Sequence, residues 1–316
     1  MNDWKSQLKG DATNWLLEKE HPSVRYFTLK WLLDKPEEDP EVAAAQEAIA
    51  GSDSVAKLLR GQKPEGYWGS DARPHHGTQG NLLILNWLGY RGNGEVRRAM
   101  DYRIEGCLQE DGAYGIELKG RMVKLPCHAT ELLRLMMVNG YQEDRRARKL
   151  LSWLIKIQEE DGAWPCVSKL VPFSCSWATA DVLKAFDFLP DDWMTPRVEA
   201  SRRKIVELFL EAGIYRYGKG KPSPRWLEFG YPLRFDSDLL DVLEHLAPHI
   251  SPDEERIQEA LQIVLDKQDA EGRWPCEKEP KGGRWMKKFF DFEPIGEPSK
   301  WVTLHAMNML KRLYAN

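Results

Sequence analysis

Apolar residues recur every three or four positions along most of the chain, which is the spacing of an amphipathic helix. The segment 254–268 is an example, with Ile257, Leu261, Val264 and Leu265 on one face. Segments of this kind end near a glycine, which accepts the left-handed conformation found after a helix. A second, more apolar segment follows each of them. The pattern therefore predicts pairs of helices, one polar and one apolar.

Six such pairs account for the chain. The more polar helices are predicted at 4–18, 53–61, 95–108, 144–158, 198–212 and 254–268. The more apolar helices are predicted at 22–34, 78–89, 128–139, 178–189, 237–247 and 301–313, with a short extra helix at 39–50. Six helical hairpins can close into a ring with the apolar helices inside, which leaves no end that needs a polar cap. The predicted fold is therefore all-α, an α/α toroid of six hairpins that forms a single domain over residues 1–316.

A seven-residue motif, Gln-x-x-x-Gly-x-Trp, ends three of the polar helices. It reads QKPEGYW at 62–68, QEEDGAW at 158–164 and QDAEGRW at 268–274. Tyr114 and Tyr217 stand in the place of the tryptophan in two degenerate copies. A glutamine amide can satisfy backbone groups that are unpaired at a neighbouring helix end, and an indole can cover it. We interpret the motif as structural.

The repeated motif resembles the QW motif of squalene and oxidosqualene cyclases, which share an α/α toroid with the β-subunits of protein prenyltransferases. The resemblance extends over almost the whole chain at the level of the repeat. It implies a small hydrophobic, isoprenoid-like or diphosphate-bearing ligand in a central cavity lined by the apolar helices. It also implies acid-initiated cyclisation or prenyl transfer as the reaction.

Candidate ligand-binding residues come from an alignment of the apolar helices on a Ser or Thr, a residue type that often caps helices. The aligned residues are Ser23, Thr78, Thr130, Thr179, Ser237 and Thr303. Two positions earlier stand imidazoles and large aromatic side chains: His21, His76, His128, Trp177, Phe235 and Trp301. One or two positions after the aligned Ser or Thr stand ionisable residues: Arg25, Glu131, Asp181, Asp238 and His305. Burying a charge on an apolar helix is costly unless it is paired or has a function. The alternatives are packing for the first set and buried ion pairs for the second.

The stretch FDSDLLD at 235–241 resembles the Asp-x-Asp-Asp motif of class II terpene cyclases, whose middle Asp protonates an alkene or epoxide. The resemblance makes Asp238 the catalytic acid and Asp236 its neighbour. Leu239 stands where the family has its last Asp. This departure matters because an acid of that strength needs neighbours that keep its proton available. The alternative is that the two aspartates cap a helix N-terminus.

Protein prenyltransferases bind zinc through Asp, Cys and His, and the resemblance places Asp236, Asp238 and His305 at comparable positions. Because Asp238 replaces the Cys, the soft thiolate that favours zinc is missing. Two carboxylates and one imidazole can still hold a divalent metal. These three residues are the candidate metal ligands, and the cofactor is otherwise unknown.

Composition narrows the choice of partners. The 316 residues carry a net charge of −4, without the basic excess that nucleic-acid binding requires. Basic side chains gather at 215–226 and 281–288, where they would hold an anion such as a diphosphate or form a solvated rim. The five Cys have neither metal nor disulfide spacing. Without a leader peptide or a long apolar run, we expect a cytoplasmic protein with no transmembrane segment.

Two other functions fit the sequence. A non-catalytic module would bind a partner protein on the faces of the toroid, which the degenerate repeats favour. A carbohydrate-active (α/α)6 barrel would stack sugars on some of the 13 Trp and use Glu131 and Asp181 as acid and base. The isoprenoid-like ligand is the function that we expect.

Overall fold

The observed helices follow the predicted alternation of polar and apolar segments. A computed structural model describes residues 4–69, 77–92, 94–118, 120–165, 175–214, 224–234, 236–281 and 283–315. In these ranges the α-helices are α1 (Thr13–Leu16), α2 (Pro22–Phe27), α3 (Pro40–Ala50), α4 (Asp53–Arg60), α5 (Thr78–Trp87), α6 (Gly94–Cys107), α7 (Pro126–Val138), α8 (Arg145–Lys156), α9 (Ser176–Phe186), α10 (Pro196–Ala212), α11 (Pro224–Leu227), α12 (Leu239–Leu246), α13 (Gln258–Asp266), α14 (Gly283–Met286) and α15 (Lys300–Tyr314). The predicted class, all-α with helices in the order of an α/α toroid, is confirmed. No helix in these ranges has the length and hydropathy that crossing a membrane requires.

Shorter elements depart from the prediction. The 3-10 turns are Trp4–Gln7, Asp191–Trp193, Ala247–His249 and Glu255–Ile257, and a π-helical segment, Thr28–Leu32, continues α2. An antiparallel hairpin of β1 (Gly115–Leu118) and β2 (Arg121–Lys124) was not predicted. The single helix predicted over 4–18 is wrong. The chain is interrupted at Gly10, whose backbone lies so close to Glu271 that a Cβ would stand 2.6 Å from its carbonyl carbon.

The chain forms two compact units. Unit 1 comprises Met1–Ala56, Trp87–Tyr90 and Phe209–Asn316, and unit 2 comprises Lys57–Asn86 and Arg91–Leu208. Within unit 1, α15 packs against α12 and against α2, so the last hairpin lies beside the first. Within unit 2, α7 packs against both α8 and α9. The single domain over the whole chain stays a prediction.

The glutamine of the repeated motif joins one polar helix to the next. Gln158 Nε2 donates to the carbonyl of Gly162 in its own turn, at 2.9 Å, and to that of Ser201 in α10, at 3.1 Å. Gln62 makes the equivalent bonds, to Gly66 at 3.0 Å and to Glu95 of α6 at 2.8 Å. Each amide therefore satisfies carbonyls of two segments at once, which is the role expected of a structural motif.

The third copy ties the end of the chain to its beginning within unit 1. Gln268 Nε2 donates to the carbonyl of Gln7 at 3.3 Å, and its Oε1 accepts the N–H of Lys9. Gly272 has a positive φ of 79°, and a Cβ there would stand 1.7 Å from the carbonyl oxygen of Gly10. Only two glycines allow the backbones to meet this closely.

Each motif tryptophan fixes the start of the next apolar helix. The indole N–H groups donate to carbonyls ten residues earlier: Trp68 to Leu58 (2.7 Å), Trp164 to Leu154 (2.9 Å) and Trp274 to Val264 (2.7 Å). The backbone N–H groups of the same tryptophans donate to threonine hydroxyls: Thr78 (3.2 Å), Thr179 (3.1 Å) and Thr303 (2.9 Å). The N-caps of α9 and α15 are instead Cys175 and Ser299. The interpretation of Thr179 and Thr303 as caps is therefore wrong, because both lie four residues inside the helix start.

Candidate functional site

Four ionisable residues occupy the same position in their helices when residues are counted from the observed N-caps. The caps of α7, α9, α12 and α15 are Leu125, Cys175, Asp238 and Ser299. Six residues after these caps stand Glu131, Asp181, Glu244 and His305. The alignment on Ser or Thr misses Glu244, because Ser237 precedes the cap of α12 whereas Thr179 follows its cap by four residues. The signal that finds Glu244 is the helix cap, not the hydroxyl residue.

Glu244 and His305 form a close pair between α12 and α15. His305 Nδ1 donates to Glu244 Oε2 at 2.6 Å, and Asn308 Nδ2 donates to Glu244 Oε1 at 2.6 Å. The Glu244 side chain is only 4% exposed and that of His305 is 20% exposed. Both carboxylate oxygens therefore have a donor, and the imidazole is held in one orientation.

The two groups stabilise each other in their charged forms. Burial would raise the pKa of Glu244, but the charge and hydrogen bond of His305 outweigh it and lower this pKa to about 2. Burial would lower the pKa of His305, but the Glu244 carboxylate outweighs it and raises this pKa. The pair is a buried ion pair over the pH range between the two pKa values.

Nε2 is the other nitrogen of the His305 ring, which packs against two aromatic side chains. It is buried and has no hydrogen-bond partner in the part of the chain that the structure describes. The ring centroid of His305 lies 4.8 Å from that of Tyr231 and 5.5 Å from that of Trp31. A polar atom in this position is costly unless something binds it.

Five aromatic side chains of unit 1, here called the aromatic cluster, contact one another in a chain of ring contacts, and two of them, Trp31 and Tyr231, contact this imidazole. They are Phe27, Trp31, Tyr231, Phe290 and Trp301. The Trp301 ring stacks on Tyr231 at 4.4 Å, and Phe290 and Phe27 lie 5.7 and 6.1 Å away. Phe27 also contacts Trp31 at 4.4 Å. Trp301 and Phe290 are buried, whereas Phe27, Trp31 and Tyr231 are partly exposed. The cluster therefore offers accessible aromatic surface around the buried Trp301, one of the predicted ligand-binding residues.

Asp238, the candidate acid, is the N-cap of α12. Its Oδ1 accepts the N–H of Asp241 at 2.9 Å, and its Oδ2 accepts that of Gly230 at 3.3 Å. Lys278 Nζ lies 3.3 Å from the same Oδ2. Burial raises the pKa of Asp238 while the Lys278 charge opposes the shift, and the net direction is upward. The cap is the role that the alternative interpretation of this stretch predicts.

Asp236, the second catalytic candidate, is buried among cations. Its Oδ2 accepts from Arg225 Nη2 at 2.7 Å and Nε at 2.8 Å, while Lys281 Nζ lies 3.4 Å from Oδ1. Lys278 is 3.9 Å away. Burial lowers the pKa of Lys281, with the Asp236 charge opposing it. One cation from each basic segment is thus engaged by this single carboxylate, and residues 215–223 of the first segment lie outside the described ranges.

The three candidate metal ligands are not gathered at one point. Asp236 and Asp238 bind the cations described above, and His305 binds Glu244. Within the ranges that the structure describes, no three or more His, Cys, Asp or Glu side chains lie where they could share a metal ion. These residues therefore do not fit the metal that the prenyltransferase resemblance implies.

The remaining candidates of unit 1 lie near α2. His21 is exposed and precedes α2 without a side-chain cap bond. Arg25 of α2 donates to Glu41 of α3 at 2.8 Å and to the carbonyl of Leu17, so it links α2 to α3 and to the end of α1. Two further candidates, His76 and Phe235, lie outside the described residues.

In unit 2, His128 and Glu131 belong to a buried polar network. Gln79 Nε2 donates to Glu131 Oε2 at 2.8 Å and to the carbonyl of His128 at 3.0 Å. Arg103 Nε donates to Gln79 Oε1 at 3.3 Å. The Cys127 Sγ lies 3.3 Å from His128 Nδ1. These hydrogen bonds hold α5 to α7.

The other two candidates of unit 2 lie on α9. Trp177 and Asp181 are partly exposed and one helical turn apart, so they share a face of the helix. Asp181 Oδ1 is 3.4 Å from Lys184 Nζ. Asp181 and Glu131 occupy packed helices, but the carbohydrate-active alternative that uses them as acid and base stays a prediction.

Comparisons with known proteins give a limited match. No protein-family model and no curated protein matches the chain. Among solved structures, it is similar to the ligand-free type II terpene cyclase MstE from Scytonema, with a TM-score of 0.47 and 15% identity over 92% of this chain and 87% of that chain. A variant of MstE in complex with geranylgeranyl dihydroxybenzoate has a TM-score of 0.47 and 14% identity, over 93% of this chain and 87% of that chain. A protein from Actinoplanes has a TM-score of 0.45 and 14% identity, over 92% of this chain and 89% of that chain. At this identity, an assignment of function depends on the residues of the site.

Proposed function

We propose that the chain binds a hydrophobic, isoprenoid-like ligand on the aromatic cluster of unit 1. One observation carries this proposal: three of the five rings in the cluster, Phe27, Trp31 and Tyr231, keep accessible surface, and two of these contact His305. An aromatic side chain contributes roughly 150–250 Å² of contact surface. The electron-rich ring faces also suit positive charge, which an isoprenoid chain acquires when it is ionised or protonated.

The binding test uses purified full-length protein with three probes: geranylgeraniol, geranylgeranyl diphosphate, and squalene in detergent. We expect at least one to bind, and Trp31→Ala to weaken that binding about tenfold, equivalent to about 1.4 kcal/mol. Trp4→Ala is the matched control, because Trp4 is also partly exposed in unit 1 but lies outside the cluster. Equal effects of the two variants, or no binding of any probe to the wild type, would refute the proposal.

Acid-initiated cyclisation through Asp238 is the finer proposal for the reaction. Burial favours the protonated carboxyl that an acid needs, whereas Lys278 at 3.3 Å favours the carboxylate. A cyclised product that the wild type makes from squalene or geranylgeranyl diphosphate, and that folded Asp238→Asn does not make, would support it. Bound probe without product would leave ligand binding as the function. Prenyl transfer has less support, because Arg225 and Lys281 are engaged by Asp236.

A further inference from the structure

In the Glu244–His305 pair, one polar atom, His305 Nε2, has no hydrogen-bond partner among the described residues. Glu244 Oε2 accepts from His305, and Glu244 Oε1 accepts from Asn308. Nε2 of the same imidazole has no hydrogen-bond partner among the described residues, although it is buried. Burying a nitrogen in this way costs roughly 1–3 kcal/mol relative to a bonded one.

The side chains around Nε2 indicate which kind of ligand atom would bind it. Trp31 and Tyr231 contact the imidazole, and both are partly exposed, so a ligand would reach the buried Nε2 by displacing one of these two aromatic side chains. Because α12 and α15 hold the ring through Glu244, it would not need to reorganise when a ligand arrives. The partner should therefore be a single polar atom on an otherwise apolar molecule.

We propose that His305 Nε2 is the polar anchor of the ligand site and binds a hydroxyl group carried by the isoprenoid-like ligand. A hydroxyl accepts a hydrogen bond from the charged imidazole and donates one to the neutral imidazole, so it fits Nε2 in either state. Glu244 and Asn308 are positioning residues that fix the ring. The inference rests on the proposed function and adds the chemical group that the ligand must carry.

The test compares farnesol with farnesene, which share a carbon chain but differ in the hydroxyl. We expect the wild-type full chain to bind farnesol about tenfold more tightly than farnesene, the ratio that one hydrogen bond gives. His305→Phe keeps an aromatic ring of similar shape and removes Nε2. In that variant the affinity for farnesene should stay within about twofold of wild type and the preference for farnesol should disappear.

A second measurement needs no substitution at His305. In protein labelled with 15N-histidine, the Nε2 signal that is also perturbed by Glu244→Gln should shift on addition of farnesol and not of farnesene. If both probes bind the wild type equally and this signal responds to neither, the anchor is refuted while the proposed function stands. If neither these probes nor the three isoprenoid probes above bind, the proposed function fails as well.

Discussion

Glu244 Oε2 and His305 Nδ1 lie 2.6 Å apart and join α12 to α15 inside unit 1. Further charges act on both members of the pair. His245 and Arg312 add positive charge near Glu244, while Asp241 and Asp238 add negative charge near His305. All four favour the ionised pair, which makes this contact a source of pH-dependent stability.

The first prediction is that Glu244→Gln lowers the free energy of unfolding most between about pH 4.5 and 6.5. The pKa of Glu244 is lowered from 4.5 to about 2, so its contribution is present above 4.5 and is lost as the pH falls toward 2. The pKa of His305 is raised above 6.5, so its contribution is complete below 6.5 and is lost as the pH rises through the folded value. The loss inside this window should be on the order of 3 kcal/mol.

Urea unfolding at a series of pH values measures this window. Glu47→Gln is the matched control, because Glu47 is an exposed glutamate on α3 of the same unit. Its effect should be small at every pH. An effect of Glu244→Gln that stays constant from pH 2 to 9 would show that the pair does not carry the predicted linkage.

The second prediction concerns the glutamine of the repeated motif. Gln158→Leu removes both donors to Gly162 and Ser201 and should lower the free energy of unfolding by about 1–3 kcal/mol. Gln109 is the natural control: in its degenerate copy it makes one long bond within the described ranges, to the Cys107 carbonyl at 3.4 Å. Gln109→Leu should therefore cost under about 1 kcal/mol. Equal losses in urea unfolding would mean that the motif does not act through this amide.

The sequence was informative where the relevant signal is local. Helix periodicity and the glycines that end helices identified most of the polar and apolar helices, because both signals lie within the helix itself. The N-terminal polar helix could not be foreseen. Its interruption at Gly10 depends on contact with Glu271, which lies at the other end of the chain.

The candidate site was only partly accessible to the same reasoning. Thr179 and Thr303 look like helix caps, but their hydroxyls accept the N–H groups of Trp164 and Trp274, contacts that no local pattern reveals. Because the alignment treated these hydroxyl residues as equivalent to Ser237, it compared the wrong positions of α12 and did not select Glu244. Asp238 was found as a chemically notable residue, but its pairing with Lys278 depends on a segment 40 residues away in sequence.

The third prediction separates backbone strain from crowding at two glycines of unit 2. Gly140 and Gly162 have positive φ values of 81° and 92°. A Cβ at Gly140 meets nothing within 4 Å, whereas at Gly162 it would stand 2.7 Å from the carbonyl oxygen of Lys204. Gly140→Ala should cost about 1–2 kcal/mol from the left-handed backbone alone. Gly162→Ala should cost clearly more in the same unfolding assay. A similar cost for both would mean that α8 and α10 are not held as closely as described.

The last prediction concerns the buried charges around Asp238. Lys278→Met leaves the Asp238 carboxylate buried with only two backbone donors, and should lower the free energy of unfolding by about 3–5 kcal/mol. Lys287→Met is the control, because Lys287 pairs with Glu279 at 2.8 Å where both side chains are more than half exposed. Such a pair contributes under about 1 kcal/mol.

Adding Asp238→Asn to Lys278→Met should recover part of the loss, because a neutral amide needs no counter-ion. A double-mutant cycle measured by urea unfolding gives the coupling between Lys278 and Asp238 directly. Strong coupling means that Asp238 is held as a carboxylate by Lys278, so acid chemistry at Asp238 would require this lysine to move or lose its proton. Absent coupling, together with equal costs for Lys278→Met and Lys287→Met, would contradict the buried pair and leave the Asp238 proton available for catalysis.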